Sequence, residues 1–288
     1  MSRRLFGIGK TFLICGFCES TLIVEYLLFC RTISNDKNIL IQSIIRFCYK
    51  LVVINVFLLK YKEKIYYGDK MTRNSLFWNE LLKWYIKNGR HHLPWRNTKD
   101  TYQILMAEYL LQQTHVRKVE EVYVELLHYY PGVKELAEAE IGKVEKIIAP
   151  IGLKYRANRV INSAKIICNQ HNGKVPNDYN KLRNLPGVGD YIANAVLCYA
   201  FDRPVVPIDT NVIRLFTRYF GYTSTNPRPR MDKELAVKIR AHFGGMISTR
   251  TANLAVLDFA GLICTARNPL SVECPLSGYC IDYYSRRN

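Results

Sequence analysis

The chain has 288 residues, of which 49% are hydrophobic and 23% charged, so it can fold into one large or two modest domains and is not disordered as a whole. Its 41 Lys and Arg exceed its 24 Asp and Glu and give a net charge of +17, which favours a polyanionic partner such as nucleic acid over a merely soluble basic surface. The nine Cys, an odd number mostly placed singly, argue against a disulfide framework and indicate a reducing, intracellular compartment.

The first 70 residues differ in composition from the rest. They are rich in Ile, Leu, Phe, Tyr and Lys, and charged residues interrupt both of their apolar runs, at 11–30 and 39–59. Neither run is the clean stretch of about 20 apolar residues that a membrane span needs, and no small-residue cleavage site completes a signal peptide. We interpret 1–70 as a non-homologous extension outside the natural protein, which would start at Met71; an amphipathic membrane anchor is the alternative.

From Met71 onwards the pattern is helical and regularly punctuated. Apolar side chains recur at helical spacing over residues 75–88, and Gly89 ends that run. Strand signals are nearly absent, so the sequence predicts an all-α fold of short helices joined by short loops. Further helices are predicted near 101–113, 115–130, 133–138, 141–149, 153–170, 178–184, 190–200, 210–219, 231–243 and 248–262.

A short Gly/Pro-rich turn separates two of these helices: Leu185, Pro186, Gly187, Val188 and Gly189. The proline ends the first helix, and the glycines permit backbone geometry that other residues disfavour. Such a turn can direct backbone N–H groups outward beside the N-terminus of the next helix, where they can hold one DNA phosphate without regard to base sequence. An ordinary helix–helix turn with two glycines is the alternative interpretation.

Several ordered motifs resemble the endonuclease III superfamily of helix-hairpin-helix DNA glycosylases. LPGVGDYIANAV (185–196) followed by VPIDTNVIRL (206–215) resembles its hairpin, Gly/Pro-rich loop and aspartate. LPWR (93–96) and AEYLLQQTHV (107–116) resemble its mismatch-glycosylase branch, and ICTARNPLSVECPLSGYC (263–280) resembles its iron–sulfur loop. The resemblance covers roughly residues 71–284.

This resemblance implies two all-α lobes, a helical barrel of 95–205 and a second lobe of 71–94 plus 206–288. The active site would lie in the cleft between them, among basic residues such as Arg96, Lys154, Arg156 and Arg159. Residues 154–156 and Arg214 are candidate contacts to the DNA backbone, with a solvated surface as the alternative. Bent duplex DNA with one nucleotide extruded would be the partner, bound by a monomer. No membrane partner is expected for 71–288.

Two carboxylates are the catalytic candidates. Asp209 directly precedes a predicted helix, where N–H groups favour the ionised form, and without the hairpin it would be interpreted as a plain helix cap. The resemblance gives it the role of stabilising positive charge on the sugar as the glycosidic bond breaks. Glu108 has apolar neighbours on both sides, which predicts burial and a raised pKa, with a solvated glutamate as the alternative. The resemblance implies that Glu108 contacts or protonates the departing base, and that Gln112 fills the hole left by the flipped nucleotide.

Tyr191, two residues after Gly189, indicates whether the enzyme cleaves the strand and which base it removes. Strand-cleaving relatives have a Lys here that forms a Schiff base, so Tyr191 predicts a monofunctional glycosylase. A tyrosine here resembles the thymine/uracil mismatch enzymes, and a phenol can stack on a flipped pyrimidine. We predict thymine or uracil opposite guanine as the substrate. Adenine opposite guanine or 8-oxoguanine is the alternative, because LPWR and the QQT string look closer to that branch. A non-catalytic DNA-binding protein is a remote third hypothesis.

The C-terminal cysteines resemble an altered cluster motif. The family spaces four Cys by six, two and five residues, and Cys264, Cys274 and Cys280 fit that spacing with Ser271 at the second position. We predict a retained [4Fe–4S] cluster with three Cys and an uncertain serine ligand. Its role would be structural, holding the loop of Arg267 against the DNA backbone. An incomplete or lost cluster is the alternative.

Overall fold

Helices account for all regular secondary structure in the described part of the chain. The structure, a computed structural model, describes residues 72–114, 116–152, 154–246 and 248–285, and these ranges contain no strand. The all-α prediction is confirmed, and the interpretation of 1–70 lies outside the described residues. The helices are α1 Arg73–Asn88, α2 Thr101–Leu111, α3 Val116–Tyr129, α4 Val133–Ala137, α5 Ile141–Ile148, α6 Tyr155–His171, α7 Tyr179–Arg183, α8 Asp190–Ala200, α9 Thr210–Phe220, α10 Lys233–Ala241, α11 Thr249–Leu262 and α12 Ile281–Ser285.

Short polar side chains set where several helices begin. Thr72, Asp100, Asp178, Asp232 and Ser248 each accept a hydrogen bond from a backbone N–H in the first turn of the helix that follows. These bonds satisfy N–H groups that have no partner inside the helix. The predicted helix starts are therefore close to the observed ones. None of the helices in the described ranges is both long and apolar enough to cross a bilayer.

The larger hydrophobic core surrounds α2. Eight of its eleven residues are buried, among them Leu105, Tyr109 and Leu110 at 0% exposure. Helix α8 packs against α2, and α3 and α6 pack on other sides of it. Glu108 is among the buried residues, at 6% exposure, which decides against the solvated alternative for this side chain.

Aromatic side chains join the first helix to the C-terminal part of the chain. Phe77 of α1 packs on Phe216, Tyr219 and Phe220 of α9 with ring centroids 4.9–5.3 Å apart. Helix α11 packs against both α1 and α9. This packing joins α1 to the C-terminal helices, as predicted for the second lobe of 71–94 plus 206–288. The lobe boundaries, between residues 94 and 95 and between 205 and 206, stay predictions.

Candidate active site

A small cavity lies where α2, α8 and α11 meet the Pro94–Arg96 turn. Its volume is about 50 Å³. Apolar walls surround a few polar groups, the composition typical of small-molecule sites. The lining residues are Trp95, Arg96, Ile104, Ala107, Glu108, Leu111, Tyr191, Tyr199, Arg250, Leu254 and Leu257.

Glu108 brings a carboxyl group into this cavity from the buried helix α2. It is 6% exposed. Burial raises its pKa to about 7; the Arg96 guanidinium lowers the pKa, and the Asp209 carboxylate raises it further. The group can therefore hold or release a proton near neutral pH, as a general acid must.

Asp209 is the N-cap of α9 and has a fixed orientation. Its Oδ1 accepts hydrogen bonds from the backbone N–H groups of Asn211 at 2.9 Å and Val212 at 2.8 Å, and its Oδ2 accepts from Asn211 Nδ2 at 2.6 Å. The positive end of α9 favours its negative charge. The side chain is only partly buried, and its charge acts on Glu108 and Tyr191. The two predicted carboxylates are thus within electrostatic reach of each other, although Asp209 is not among the residues that line the cavity.

Tyr191 lines the same cavity from the first turn of α8. Burial, followed by the charges of Glu108 and Asp209, raises the pKa of its phenol well above the usual value. The hydroxyl therefore keeps its proton throughout the working pH range and can only hydrogen-bond or stack. Sequence position alone did not reveal the neighbouring phenol of Tyr199, which lines the cavity beside it.

A buried ion pair next to the cavity was not found from the sequence. Asp258 of α11 is 0% exposed and accepts from Arg96 Nη2 at 3.0 Å and from the backbone N–H of Arg90 at 2.9 Å. The other terminal nitrogen of Arg96, Nη1, is buried without a hydrogen-bond partner in the described structure. Arg96 is thus part of the cavity wall. The only sequence signal for Asp258 was a lone acidic residue in an apolar helix.

The predicted hairpin has the geometry needed to hold an anion. Gly187 has φ +82°, and a Cβ there would lie 2.6 Å from Arg159 Cδ, so the residue must be glycine. Helix α8 begins after Gly189 without a side-chain cap, which leaves first-turn N–H groups available to a phosphate oxygen. The Pro186 carbonyl accepts from Tyr109 Oη at 2.8 Å, so α2 fixes the hairpin position.

Gln112 follows α2 directly, beside the hairpin. Its Nε2 donates to the Gly187 carbonyl at 3.1 Å, so the predicted wedge residue is adjacent to the hairpin that is predicted to hold a phosphate. Arg156 holds this loop through three hydrogen bonds. Its guanidinium donates to the Leu110 carbonyl at 2.9 Å, to the Gln112 carbonyl, and to Thr114 Oγ1 at 2.8 Å.

Two of the predicted DNA-facing arginines have other roles. Arg156 is 0% exposed, so its placement among the residues lining the cleft is wrong. Its guanidinium instead satisfies carbonyls at the end of α2, as described above. Arg214 donates to the carbonyls of Ala260, at 2.7 Å, and Cys264, at 2.9 Å, and is therefore also occupied within the protein.

Replacing Gly187 with Ala should weaken DNA binding by about 10-fold for matched and mismatched duplexes alike, because a phosphate grip carries no base information. The added Cβ would collide with Arg159 and strain the positive-φ backbone. Gly245→Ala is the matched control, since Gly245 has φ +77° but open space around it. Fluorescence anisotropy at several salt concentrations measures both variants. Equal losses for the two would mean that the hairpin holds no phosphate.

The three C-terminal cysteines only partly fit the predicted cluster. Their thiols are close enough for Cys274 to experience the charges of Cys264 and Cys280. Cys264 Sγ accepts from Arg218 Nη1 at 3.4 Å, while Ser271 Oγ bonds only to the Pro269 carbonyl, at 3.4 Å. Among the described residues, no group of three or more His, Cys, Asp or Glu side chains is arranged to hold a metal. Three thiol donors are thus present without a complete ligand set among the described residues.

Comparison with known proteins agrees with this fold. A thymine-DNA glycosylase from Aeropyrum pernix is 42% identical over 207 residues, which are 70% of this chain and 92% of that protein. An adenine DNA glycosylase from Buchnera aphidicola subsp. Baizongia pistaciae is 30% identical over 74% of this chain, which spans only 60% of that relative. The solved structure of a thermostable thymine-DNA glycosylase superposes with a TM-score of 0.68 at 30% identity, covering 74% of this chain and 97% of that one.

Fold and site together define a helix-hairpin-helix protein of the DNA glycosylase type. Residues 106–241 match the HhH-GPD superfamily of base excision DNA repair proteins, a range that includes Glu108, the hairpin and Asp209. The chain belongs to this superfamily.

Proposed function

We propose that this protein is a monofunctional DNA glycosylase that hydrolyses the glycosidic bond of thymine or uracil opposite guanine. The observation that carries the proposal is one cavity in which Glu108, whose pKa is about 7, lies within electrostatic reach of the Asp209 carboxylate. Two carboxyl groups in unlike environments are the arrangement that acid-assisted glycoside hydrolysis requires. The 42% sequence identity to a thymine-DNA glycosylase, in an alignment that covers 92% of that protein, supports the pyrimidine substrate.

The proposed chemistry assigns one role to each carboxyl group. As the bond from C1′ to the base breaks, positive charge grows on the sugar, and the fixed Asp209 carboxylate stabilises it. Protonated Glu108 donates a proton or hydrogen bond to the departing base. A water molecule then adds to C1′ and releases a proton to solvent, from which Glu108 is protonated again. The products are the free base and an abasic sugar in an intact strand. The hairpin holds the neighbouring phosphate, and Gln112 enters the vacated stack.

Tyr191 supports hydrolysis without strand cleavage. Its phenol cannot form a Schiff base with C1′, and the residues that line the cavity include no lysine. Strand cleavage after base removal should therefore need added alkali, and borohydride should trap no covalent complex. A trapped adduct would show a lyase route through an amine elsewhere in the chain.

Adenine release is the second candidate function. The identity to an adenine DNA glycosylase favours it, together with the LPWR and QQT strings. A panel of end-labelled duplexes with G·T, G·U, A·G and A opposite 8-oxoguanine, treated with hot alkali after reaction, separates the two. Cleavage at T and U only supports the proposal. If only the duplexes with A are cleaved, the protein is an adenine glycosylase. If no duplex is cleaved but DNA binding is retained, the non-catalytic hypothesis is favoured.

We also propose that Cys264, Cys274 and Cys280 carry a structural [4Fe–4S] cluster, and that the protein acts inside the cell as a monomer on mismatched duplex DNA. The proximity of the three thiols supports the cluster. Protein purified without oxygen should contain about four iron and four sulfide ions per chain, and Cys274→Ala should lower both. Full activity in metal-free wild-type protein would reject a required cluster.

A further inference from the structure

A buried amide on α11 connects two sides of the candidate site. Asn253 is 0% exposed. Its Nδ2 donates to the Pro207 carbonyl at 3.0 Å, and its Oδ1 accepts from the Tyr199 hydroxyl. A carbonyl oxygen can only accept, so the amide nitrogen must face Pro207 and the amide oxygen must face Tyr199. Both polar ends of the side chain are thus satisfied in one orientation.

Each partner of Asn253 leads to a residue of the proposed chemistry. Pro207 precedes Asp209 by two residues, in a segment that enters α9 without regular secondary structure. Tyr199 lies about two helical turns after Tyr191 on α8, where both line the cavity and their phenols interact. The Asn253 side chain therefore connects the wall of the cavity to the segment that carries the Asp209 carboxylate.

The surroundings make this bridge stiff. Tyr199 is 5% exposed, and burial raises the pKa of its phenol well above the usual value, so its proton stays on the bond to Asn253. Buried polar networks in which every group has a partner fix a unique geometry, and breaking one link leaves a buried group unsatisfied. Arg250, one turn earlier on α11, donates to the Tyr199 carbonyl at 2.6 Å and so holds the end of α8 to the same helix.

We propose that Asn253 is a positioning residue that sets the separation between the base pocket and the Asp209 carboxylate. The inference rests on the proposed function, because it concerns the alignment of the glycosidic bond with that carboxylate. Catalysis by a fixed charge is sensitive to displacements of about 1 Å, which can cost about 100-fold in rate. Asn253 touches neither DNA nor the reacting atoms, so its loss should lower the rate of base release and leave duplex affinity nearly unchanged.

Three variants test this role on whichever duplex the wild-type protein cleaves. Asn253→Leu removes both bonds at similar volume and should lower the single-turnover rate by about 100-fold. Tyr199→Phe removes the bond between Asn253 and α8, together with the contact between the Tyr199 and Tyr191 phenols, and should lower the rate by about 10-fold. Tyr102→Phe is the matched control, because Tyr102 is equally buried and donates its hydroxyl to the Tyr130 carbonyl at 2.7 Å, outside the residues that line the cavity.

Asn253→Asp adds a second measurement, the pH dependence of the rate, which a purely structural role of Asn253 would not change. A protonated carboxylic acid has one donor and one acceptor and can replace the amide, whereas a carboxylate cannot donate to Pro207. Its rate relative to wild type should therefore recover as the pH falls from about 8 to about 6, since burial raises the pKa of an acid.

Wild-type rates in Asn253→Leu and Tyr199→Phe, or a loss in Tyr199→Phe no larger than in Tyr102→Phe, would overturn the proposal. If Asn253→Leu does not fold, Tyr199→Phe decides, because it keeps the bond to Pro207. A wild-type protein that releases no base from any duplex would instead reject the proposed function.

Discussion

Replacing Asp209 with Asn should reduce base release by about 1000-fold while leaving the fold and DNA affinity intact. The substitution removes the negative charge that stabilises the electron-poor sugar. It keeps an oxygen that can accept from the N–H groups of Asn211 and Val212, and Asn is as good a helix cap as Asp. Single-turnover release from a labelled G·T duplex measures the rate, and anisotropy measures binding.

Asp232→Asn is the matched control for this experiment. Asp232 also caps a helix, with Oδ1 accepting from the Leu235 N–H at 2.9 Å and Oδ2 accepting from Ser224 Oγ at 2.7 Å. The two variants therefore undergo the same chemical change in the same type of hydrogen-bonding arrangement. The control should react at the wild-type rate. Equal rates of base release for Asp209→Asn and the control would mean that the Asp209 carboxylate takes no part in the reaction.

Glu108→Gln should reduce base release by about 100-fold near pH 7 and abolish its pH dependence there. In the wild-type protein, Glu108 must be protonated to act as an acid. Burial raises its pKa to about 7, so the rate should fall as the pH rises above that value. Glutamine cannot donate a proton from a carboxyl group, so the variant should lack this decline. Glu125→Gln, an exposed position on α3, serves as the control and should retain the wild-type profile.

The same carboxyl group should make stability, like activity, decrease as the pH rises. Its pKa is higher in the folded chain than the usual 4.5, so between pH 4.5 and about 7 the folded state binds more protons than the unfolded state. The free energy of unfolding should therefore decrease as the pH rises through this window. Urea unfolding of Glu108→Gln should lack this contribution. An identical pH dependence in both proteins would mean that Glu108 is not desolvated.

Local sequence signals predicted the fold because helices depend on local periodicity and caps. Apolar residues at helical spacing indicated the helix near 75–88 and Gly89 indicated its end, and the two glycines of the hairpin indicated the turn. Apolar neighbours around Glu108 predicted its burial, because a helix with apolar residues on every face leaves no solvated side.

Other features of the site depend on contacts between distant parts of the chain. Asp258 meets Arg96 across 162 residues, and Asn253 meets Tyr199 across 54, so no local pattern contains either pair. Arg156 was predicted to line the cleft from the family resemblance, yet free carbonyls at the end of α2 provide enough acceptors to bury it.

The most direct test of the account is mass spectrometry of the products of a single-turnover reaction on a G·T duplex. The account predicts free thymine, an intact strand that has lost that base and gained a hydroxyl group at C1′, and an unchanged guanine strand. A duplex that is bound but keeps every base, or a strand already broken at the abasic position, would contradict hydrolysis by the Asp209–Glu108 site.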